Sequence, residues 1–281
     1  MLTVAAPAKL NLTLEVLGRR PDGFHEIRSV FQAIDLCDTL RFQAGQGISI
    51  GSDSPGWQAE QSLVSRAVRL LQETTGSSRG AEIAVAKRIP LVSGLGGDSS
   101  GAAAILRGLN ELWQLGLSPE KLLEMAAHLG SDVAFFLHGG TALAAGRGEV
   151  LTPLPPLSNT WFVLVVPDIP RLPGKTAQLY ASLRPGHYTD GHITARLVKT
   201  LKEGGDFTPL LLFNTFENVA FARFSRLDVY REHIVKLGAD NVHLAGSGPT
   251  LFTMLRDKDQ AEDLYTRCKD QGMEVFMVGT A

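Results

Sequence analysis

Residues 81–114 constrain this chain more than any other stretch, because a strand pattern, a glycine cluster and a helix pattern follow one another without a break. Ala81 to Ile89 reads as a strand, Pro90-Leu-Val-Ser-Gly-Leu-Gly-Gly-Asp-Ser-Ser100 follows, and an Ala- and Leu-rich helix is expected from Gly101 to about Gln114. Glycines at 94, 96 and 97 let the backbone approach a ligand closely, and Ser99 and Ser100 add hydroxyls. The helix behind them offers unpaired N–H groups and a positive dipole end. A loop of this make-up suits phosphate; an ordinary strand-to-helix turn is the alternative from the residues alone. It is not a P-loop, since no Gly-x-x-x-x-Gly-Lys-Ser/Thr occurs and Gly174-Lys175-Thr176 lacks the upstream glycine. Nor is it a dinucleotide fingerprint, because residue 99 is serine and the surrounding pattern is not a run of βαβ units.

Elsewhere the chain opens as mostly β structure. Leu10, Leu12, Leu14 and Val16 alternate with Lys9, Asn11, Thr13 and Glu15, so Lys9 and Asn11 share one face of a strand. Further strands are expected at Ile27 to Ile34, Thr39 to Gln43 and Gly47 to Ile50, then a helix from Ser62 to Gln72. Ser118-Pro119-Glu120 starts a helix that Gly130 closes, with Asp132 just beyond. Pro153-Leu-Pro-Pro156 marks the expected boundary between domains at 1–155 and 156–281. Beyond it the pattern predicts a strand at Trp161 to Val166, helices near 175–183, 190–203, 214–222 and 226–237, strands at Val242 to Ala245 and Leu251 to Leu255, a helix from Asp257 to Gln271, and a strand from Glu274 to Val278.

Composition narrows the function classes. With 281 residues, a formal charge of −2 and no long Lys/Arg run, the chain can bury a sizeable core and has no electrostatic footprint for nucleic acid. No signal-peptide pattern opens it and no apolar stretch approaches a membrane span, so a cytoplasmic location without membrane association is expected. Cys37 and Cys268 are read as two buried, reduced thiols rather than a disulfide framework, and the Asn11-Leu12-Thr13 sequon as chance. No histidine spacing suggests a transition-metal site.

Pro90-x-x-x-Gly94-Leu95-Gly96 running into paired serines resembles the ATP-phosphate loop of the GHMP kinases. Pro7-Ala-Lys-Leu-Asn-Leu12, Arg20-Pro-Asp-Gly-Phe-His25, Leu129-Gly-Ser-Asp-Val133 and Ala245-Gly-Ser-Gly-Pro249 match other blocks of that family, in order and over nearly the whole chain. The resemblance implies an α+β architecture with a ribosomal-protein-S5-domain-2-like N-terminal domain and a ferredoxin-like C-terminal domain. It also implies ATP with Mg²⁺, the metal ligands being left open, and a small-molecule alcohol as acceptor in a monomer or homodimer. Arg20 to His25 resembles the branch whose acceptor is a cytidine-diphosphate-linked methylerythritol, phosphorylated on its 2-hydroxyl in non-mevalonate isoprenoid synthesis. A homoserine- or mevalonate-type kinase of the same family, or a noncatalytic nucleotide-binding protein of the same fold, remain the alternatives.

Carried onto this sequence, the resemblance makes Asp132 the general base and Lys9 the cation beside it, where a helix cap and a solvated strand residue are the structural alternatives. It makes Pro90, Leu91, Val92, Ser93, Gly94, Leu95, Gly96, Gly97, Asp98, Ser99 and Ser100 the ATP loop. Asn11, Phe24, His25 and Tyr180 become substrate contacts: Phe24 stacks on the base, His25 reads its edge and Tyr180 covers its other face, with packing the alternative for Tyr180 and a satisfied strand amide that for Asn11. Three residues depart from the pattern. Asp98 stands where glycine is usual and is expected to put a carboxylate beside the phosphates unless it points away or helps hold Mg²⁺; Gly101 replaces a side chain, and Ser62 an asparagine that often contacts adenine.

Overall fold

The computed structural model describes residues 1–157, 160–170, 172 and 174–281. In chain order the elements are β1 (Leu2–Arg19), β2 (His25–Gly45), β3 (Ile48–Ser52), α1 (Leu63–Thr75), β4 (Gly80–Ala86), α2 (Gly97–Leu112), α3 (Pro119–Leu129), α4 (Val133–His138), β5 (Thr141–Gly146) and β6 (Val150–Pro153). They continue with β7 (Trp161–Val166), α5 (Lys175–Ser182), α6 (His192–Lys202), β8 (Phe213–Asn214), α7 (Glu217–Arg223), α8 (Leu227–Lys236), β9 (His243–Leu244), β10 (Leu251–Leu255), α9 (Lys258–Asp270) and β11 (Glu274–Gly279). Met1–Ala8, Leu36–Leu91 and Gly96–Gly139 form one compact unit; Lys9–Asp35, Val92–Leu95 and Gly140–Ala281 form the other. β1 and β2 are long enough to contribute to both, and the proline run at 153–156 lies within the second unit.

In the first unit the far end of β2 pairs antiparallel with β4, Thr39 opposite Ala86 and Gly45 opposite Gly80, and β4 pairs parallel with β3. Helices α1 to α4 pack on one another. Small residues let α2 be buried along most of its length: Gly101, Ala102, Ala103 and Ala104 are buried, and a Cβ at Gly108 would fall 2.5 Å from the Phe42 ring. Ser62 caps α1 by accepting from Val64 N at 3.1 Å, and Gly76 ends it at φ 66°. Ser118 caps α3 by accepting from Lys121 N at 3.3 Å; Gly130 follows that helix in extended rather than left-handed conformation.

In the second unit β11, β7, β10 and β9 form an antiparallel sheet in that order, with α9 packed on β7 and β11. This is the ferredoxin-like order, in which the first and third of the sheet's four strands in chain order, β7 and β10, occupy the middle. It explains why Trp161-Phe-Val-Leu-Val-Val166 reads as a continuous apolar run: Phe162 to Val166 are all buried. The near end of β2 pairs with β5, β5 pairs with β6, and β1 pairs parallel with β8. Leu14, Val16, Phe216, Phe224 and Leu227 lie in the apolar core of this unit.

Two expectations change. The strands expected at 27–34 and 39–43 are one strand, because the polar residues that seemed to interrupt them are satisfied by distant backbone: Asp35 accepts from Gly279 N at 3.1 Å, and Asp38 from Arg88 N at 2.7 Å and Ile89 N at 2.8 Å. The short α4 and the β5–β6 hairpin follow Asp132 in a stretch where no element was expected, since Thr141-Ala-Leu-Ala-Ala-Gly146 is poor in strand-favouring residues. Cys37 and Cys268 are not in a disulfide; Cys268 is buried, which pushes its thiol up to about 11, whereas Cys37 is only half-buried. Among the described residues no helix is long and apolar enough to cross a membrane.

Candidate active site

In the first unit the glycine loop starts from a fixed base. Asp38 is buried, takes the two backbone N–H groups just after β4, and pairs with the buried Lys87 ammonium. A buried ion pair adds little net stability, but it holds its partners in one place. A Cβ at Gly97 would meet Ile89 Cγ2 at 3.0 Å and Lys87 Nζ at 3.6 Å, so glycine brings the start of α2 against that ammonium. Gly96 precedes the helix at φ 77°, no side chain caps it, and the amides of its first turn face outward from it. Ser99 is half-buried, and Ser100 Oγ is buried with no hydrogen-bond partner among the described residues.

Asp98 is not an unpaired carboxylate. One oxygen accepts from Ser62 Oγ and the other from Leu63 N at 3.0 Å, so the side chain clasps the start of α1. A Cβ at Gly101 would come within 3.0 Å of Val64 Cγ2, on the same helix. Asp98, Ser62 and Gly101, which depart from the family pattern separately in the sequence, therefore meet at one contact between α1 and α2.

Asp132 occupies the position before α4 but makes no capping bond to it, so the helix-cap alternative does not account for its carboxylate. Helix α4 packs on α2 and α3, which fixes where that residue projects.

In the second unit Lys9 is buried at 4% exposure, not a solvated strand residue. Its ammonium donates to Asn11 Oδ1 at 2.7 Å and lies 4.5 Å from the Phe31 ring centroid. Asn11 Nδ2 donates to Ser29 Oγ at 2.8 Å, so both ends of the Asn11 amide are engaged and the residue orients Lys9. The loop segment here is pinned by backbone: Lys9 N donates to Leu95 O at 2.9 Å and Thr250 N to Ser93 O at 3.2 Å. A Cβ at Gly94 would lie 2.1 Å from Ala245 O, so glycine is required where the loop meets the Ala245–Pro249 turn. Buried Lys175 ties α5 to the same turn, donating to Ser247 Oγ at 3.0 Å and to Gly248 O.

The turn between β1 and β2 presents Phe24 and His25. Phe24 N donates to Asp22 Oδ1 at 3.1 Å, Gly23 takes φ 86°, and Arg20 braces the turn through Asp22 and Glu26. Phe24 is 54% exposed, with the Arg147 guanidinium 4.8 Å from its ring centroid. His25 stacks on Tyr180 at 4.7 Å and 18°, and Tyr180 meets Phe216 edge-on. Tyr180 thus touches the imidazole directly, where the sequence placed it on the far face of a base. Burial, and secondarily the charge of Arg19, lowers the His25 pKa below its ordinary value. The neutral ring offers one donor and one acceptor. No short-range sequence pattern marks Arg147, Lys87 or Asp38 as site residues, and Lys175 carries only the partial P-loop likeness of Gly174-Lys175-Thr176.

The GHMP kinases N terminal domain matches residues 62–140 and the GHMP kinases C terminal domain matches residues 197–272. A Dehalococcoides mccartyi protein named 4-diphosphocytidyl-2-C-methyl-D-erythritol kinase is 51% identical, covering 100% of this chain and 98% of its own length. A crystal structure of 4-(cytidine 5'-diphospho)-2C-methyl-D-erythritol kinase superposes with a TM-score of 0.83 at 30% identity, covering 100% of this chain and 99% of the other. Homoserine kinase from Cytophaga hutchinsonii, at 20% identity, TM-score 0.76, and coverage of 99% of this chain and 94% of its own, shares the fold. With two family domains matched in order and a likeness that runs from end to end, the chain belongs to the GHMP kinase family.

Proposed function

We propose that this chain transfers the γ-phosphate of ATP to the 2-hydroxyl of 4-diphosphocytidyl-2-C-methyl-D-erythritol, a step of non-mevalonate isoprenoid synthesis. The observation that carries the reading is 51% identity across the whole chain to a relative named for that substrate. The turn at Arg20 to His25 supports it, because an exposed aromatic beside a neutral imidazole can both stack on a base and read its edge.

Asp132 accepts the proton of the 2-hydroxyl as its oxygen attacks the γ-phosphorus. The new O–P bond forms as the bond to the β,γ-bridging oxygen breaks, and ADP leaves with the electron pair. Lys9, held by Asn11 and against Phe31, supplies fixed positive charge for the hydroxyl and the transferring oxygens. Residues 90–100 bind the phosphates, with the first amides of α2 as donors and Lys87 as a second cation at the glycines. Mg²⁺ entering with ATP would neutralise phosphate charge; the hydroxyls of Ser99 and Ser100 fit its oxygen-ligand chemistry, and Ser100 Oγ has no partner among the described residues, whereas Asp98 is committed to α1. Phe24 stacks on cytosine, His25 reads its edge, and Tyr180 holds the imidazole in plane. ³¹P NMR of the product tests the reaction: a new phosphomonoester with phosphorus–carbon coupling at carbon 2 and no three-bond proton coupling, since that carbon bears a methyl group and no hydrogen, is expected, and a phosphate on another oxygen, or none, would overturn it.

A further inference from the structure

We infer that Glu15, Asp190 and His192 form a binding site for a divalent transition metal of the Zn²⁺ class, separate from the ATP loop and from the base-reading turn. Each offers a ligand atom, and the three atoms lie within 4.8 Å of one another. Glu15 is fully buried. Its Oε2 accepts from Thr194 N at 2.6 Å, in the first turn of α6, but its Oε1 is buried and finds no hydrogen-bond partner among the described residues. A helix-capping role accounts for one oxygen and leaves the other unexplained, and an unpaired buried carboxylate oxygen is costly unless a cation or proton meets it.

The surrounding charges do not supply that cation. The Arg28 side chain lies against Gly191, its Nη1 3.4 Å from where a Cβ would stand, yet among the described residues it makes no ion pair with Glu15 or Asp190. His192 Nδ1 instead lies 2.5 Å from Asp190 Oδ1. Thr189, whose N–H donates to Val16 O at 3.1 Å, also buries an unpartnered hydroxyl beside Asp190 in sequence. One imidazole nitrogen with two carboxylates suits Zn²⁺ or its first-row neighbours, with water completing the shell; the nitrogen ligand disfavours Mg²⁺ and Ca²⁺. A metal here would fasten the segment before α6 to β1. That segment includes Tyr188, whose ring meets His25 edge-on at 6.1 Å.

The test is titration of the intact chain with Co²⁺, free of nucleotide and Mg²⁺, followed by visible absorption and displaced by Zn²⁺. One Co²⁺ per chain with d–d absorption is expected, resistant to millimolar Mg²⁺. His192→Ala and Asp190→Asn, both on exposed side chains, should weaken binding by about tenfold or more without unfolding the protein, and Glu15→Gln should do the same if it folds. Failure to bind up to about 1 mM Co²⁺, unchanged affinity in His192→Ala, or displacement by Mg²⁺ would each overturn the assignment. None of these readouts depends on which alcohol the enzyme phosphorylates.

Discussion

Replacing Asp98 separates two accounts of the ATP loop. In the structure its carboxylate accepts from Ser62 Oγ and from Leu63 N, the first amide of α1. Asp98→Ala would remove a charge-assisted bond to one of the orphan N–H groups at the start of α1 and leave Ser62 with only its capping role. Capping contacts contribute about 0.5–2 kcal/mol and charged hydrogen bonds about 1.5–3 kcal/mol. Because Asp98 is an exposed residue, the lower part of that range applies, roughly 1–2 kcal/mol. Asp98→Gly should add about 0.5–1 kcal/mol of backbone entropy in α2. Urea denaturation should therefore rank wild type above Asp98→Ala above Asp98→Gly, and a cycle with Ser62→Ala should return a coupling of about 0.5 kcal/mol or more. ATP affinity, measured by calorimetry, should not improve in either variant. Unchanged stability together with tighter ATP binding at low ionic strength would refute the clasp and restore an unpaired carboxylate facing the phosphates.

Asp132→Asn should lower kcat by about 10²–10⁴ while leaving the ATP Kd nearly unchanged, and retention of more than about a tenth of kcat would remove Asp132 from the chemistry. Phe24→Ala should reduce kcat/KM for the cytidine-linked substrate by about ten- to a hundredfold through KM with little effect on the ATP KM, as loss of one stacked base predicts; equal losses toward both substrates would count against stacking. Since the His25 pKa is lowered, its neutral form should persist down through the ordinary histidine range: KM for the cytidine-linked substrate should stay flat above about pH 6.5 and rise only as pH falls below it, an upturn that His25→Gln should lack. In stability the sign is the same, the contribution of neutral His25 being complete above the unfolded value and lost as pH falls through the lowered folded one.

The parts of the site legible in the sequence are those written in short-range pattern. Alternation along β1 placed Lys9 and Asn11 on one face, and the glycine spacing at 94–97 marked a loop with close backbone approach; Gly94 against Ala245 O and Gly97 against Ile89 show what each glycine is for. What stayed hidden depends on contacts between distant segments. Nothing in the stretch around Asp98 shows that Ser62 lies against it, and nothing around Cys37 shows that Asp38 carries the two amides ahead of the loop. Arg147 belongs to a hairpin whose alanines carry little strand signal, so its place over Phe24 could not be anticipated. Gly130 closed α3 where expected but in an extended conformation, because Val133 N returns to its carbonyl at 3.2 Å and the chain goes directly into α4.

The most direct test of the proposed activity is ADP release by wild-type enzyme with the cytidine-linked methylerythritol substrate set against its uridine analogue, homoserine and mevalonate, each at saturating ATP. A kcat/KM for the cytidine-linked compound at least about tenfold above the uridine analogue, with homoserine and mevalonate near background and the uridine gap closing in His25→Ala, is the predicted result. Equal use of the two nucleotide-linked compounds, or faster turnover of homoserine or mevalonate, would contradict the assignment and leave the chain a GHMP kinase of another specificity.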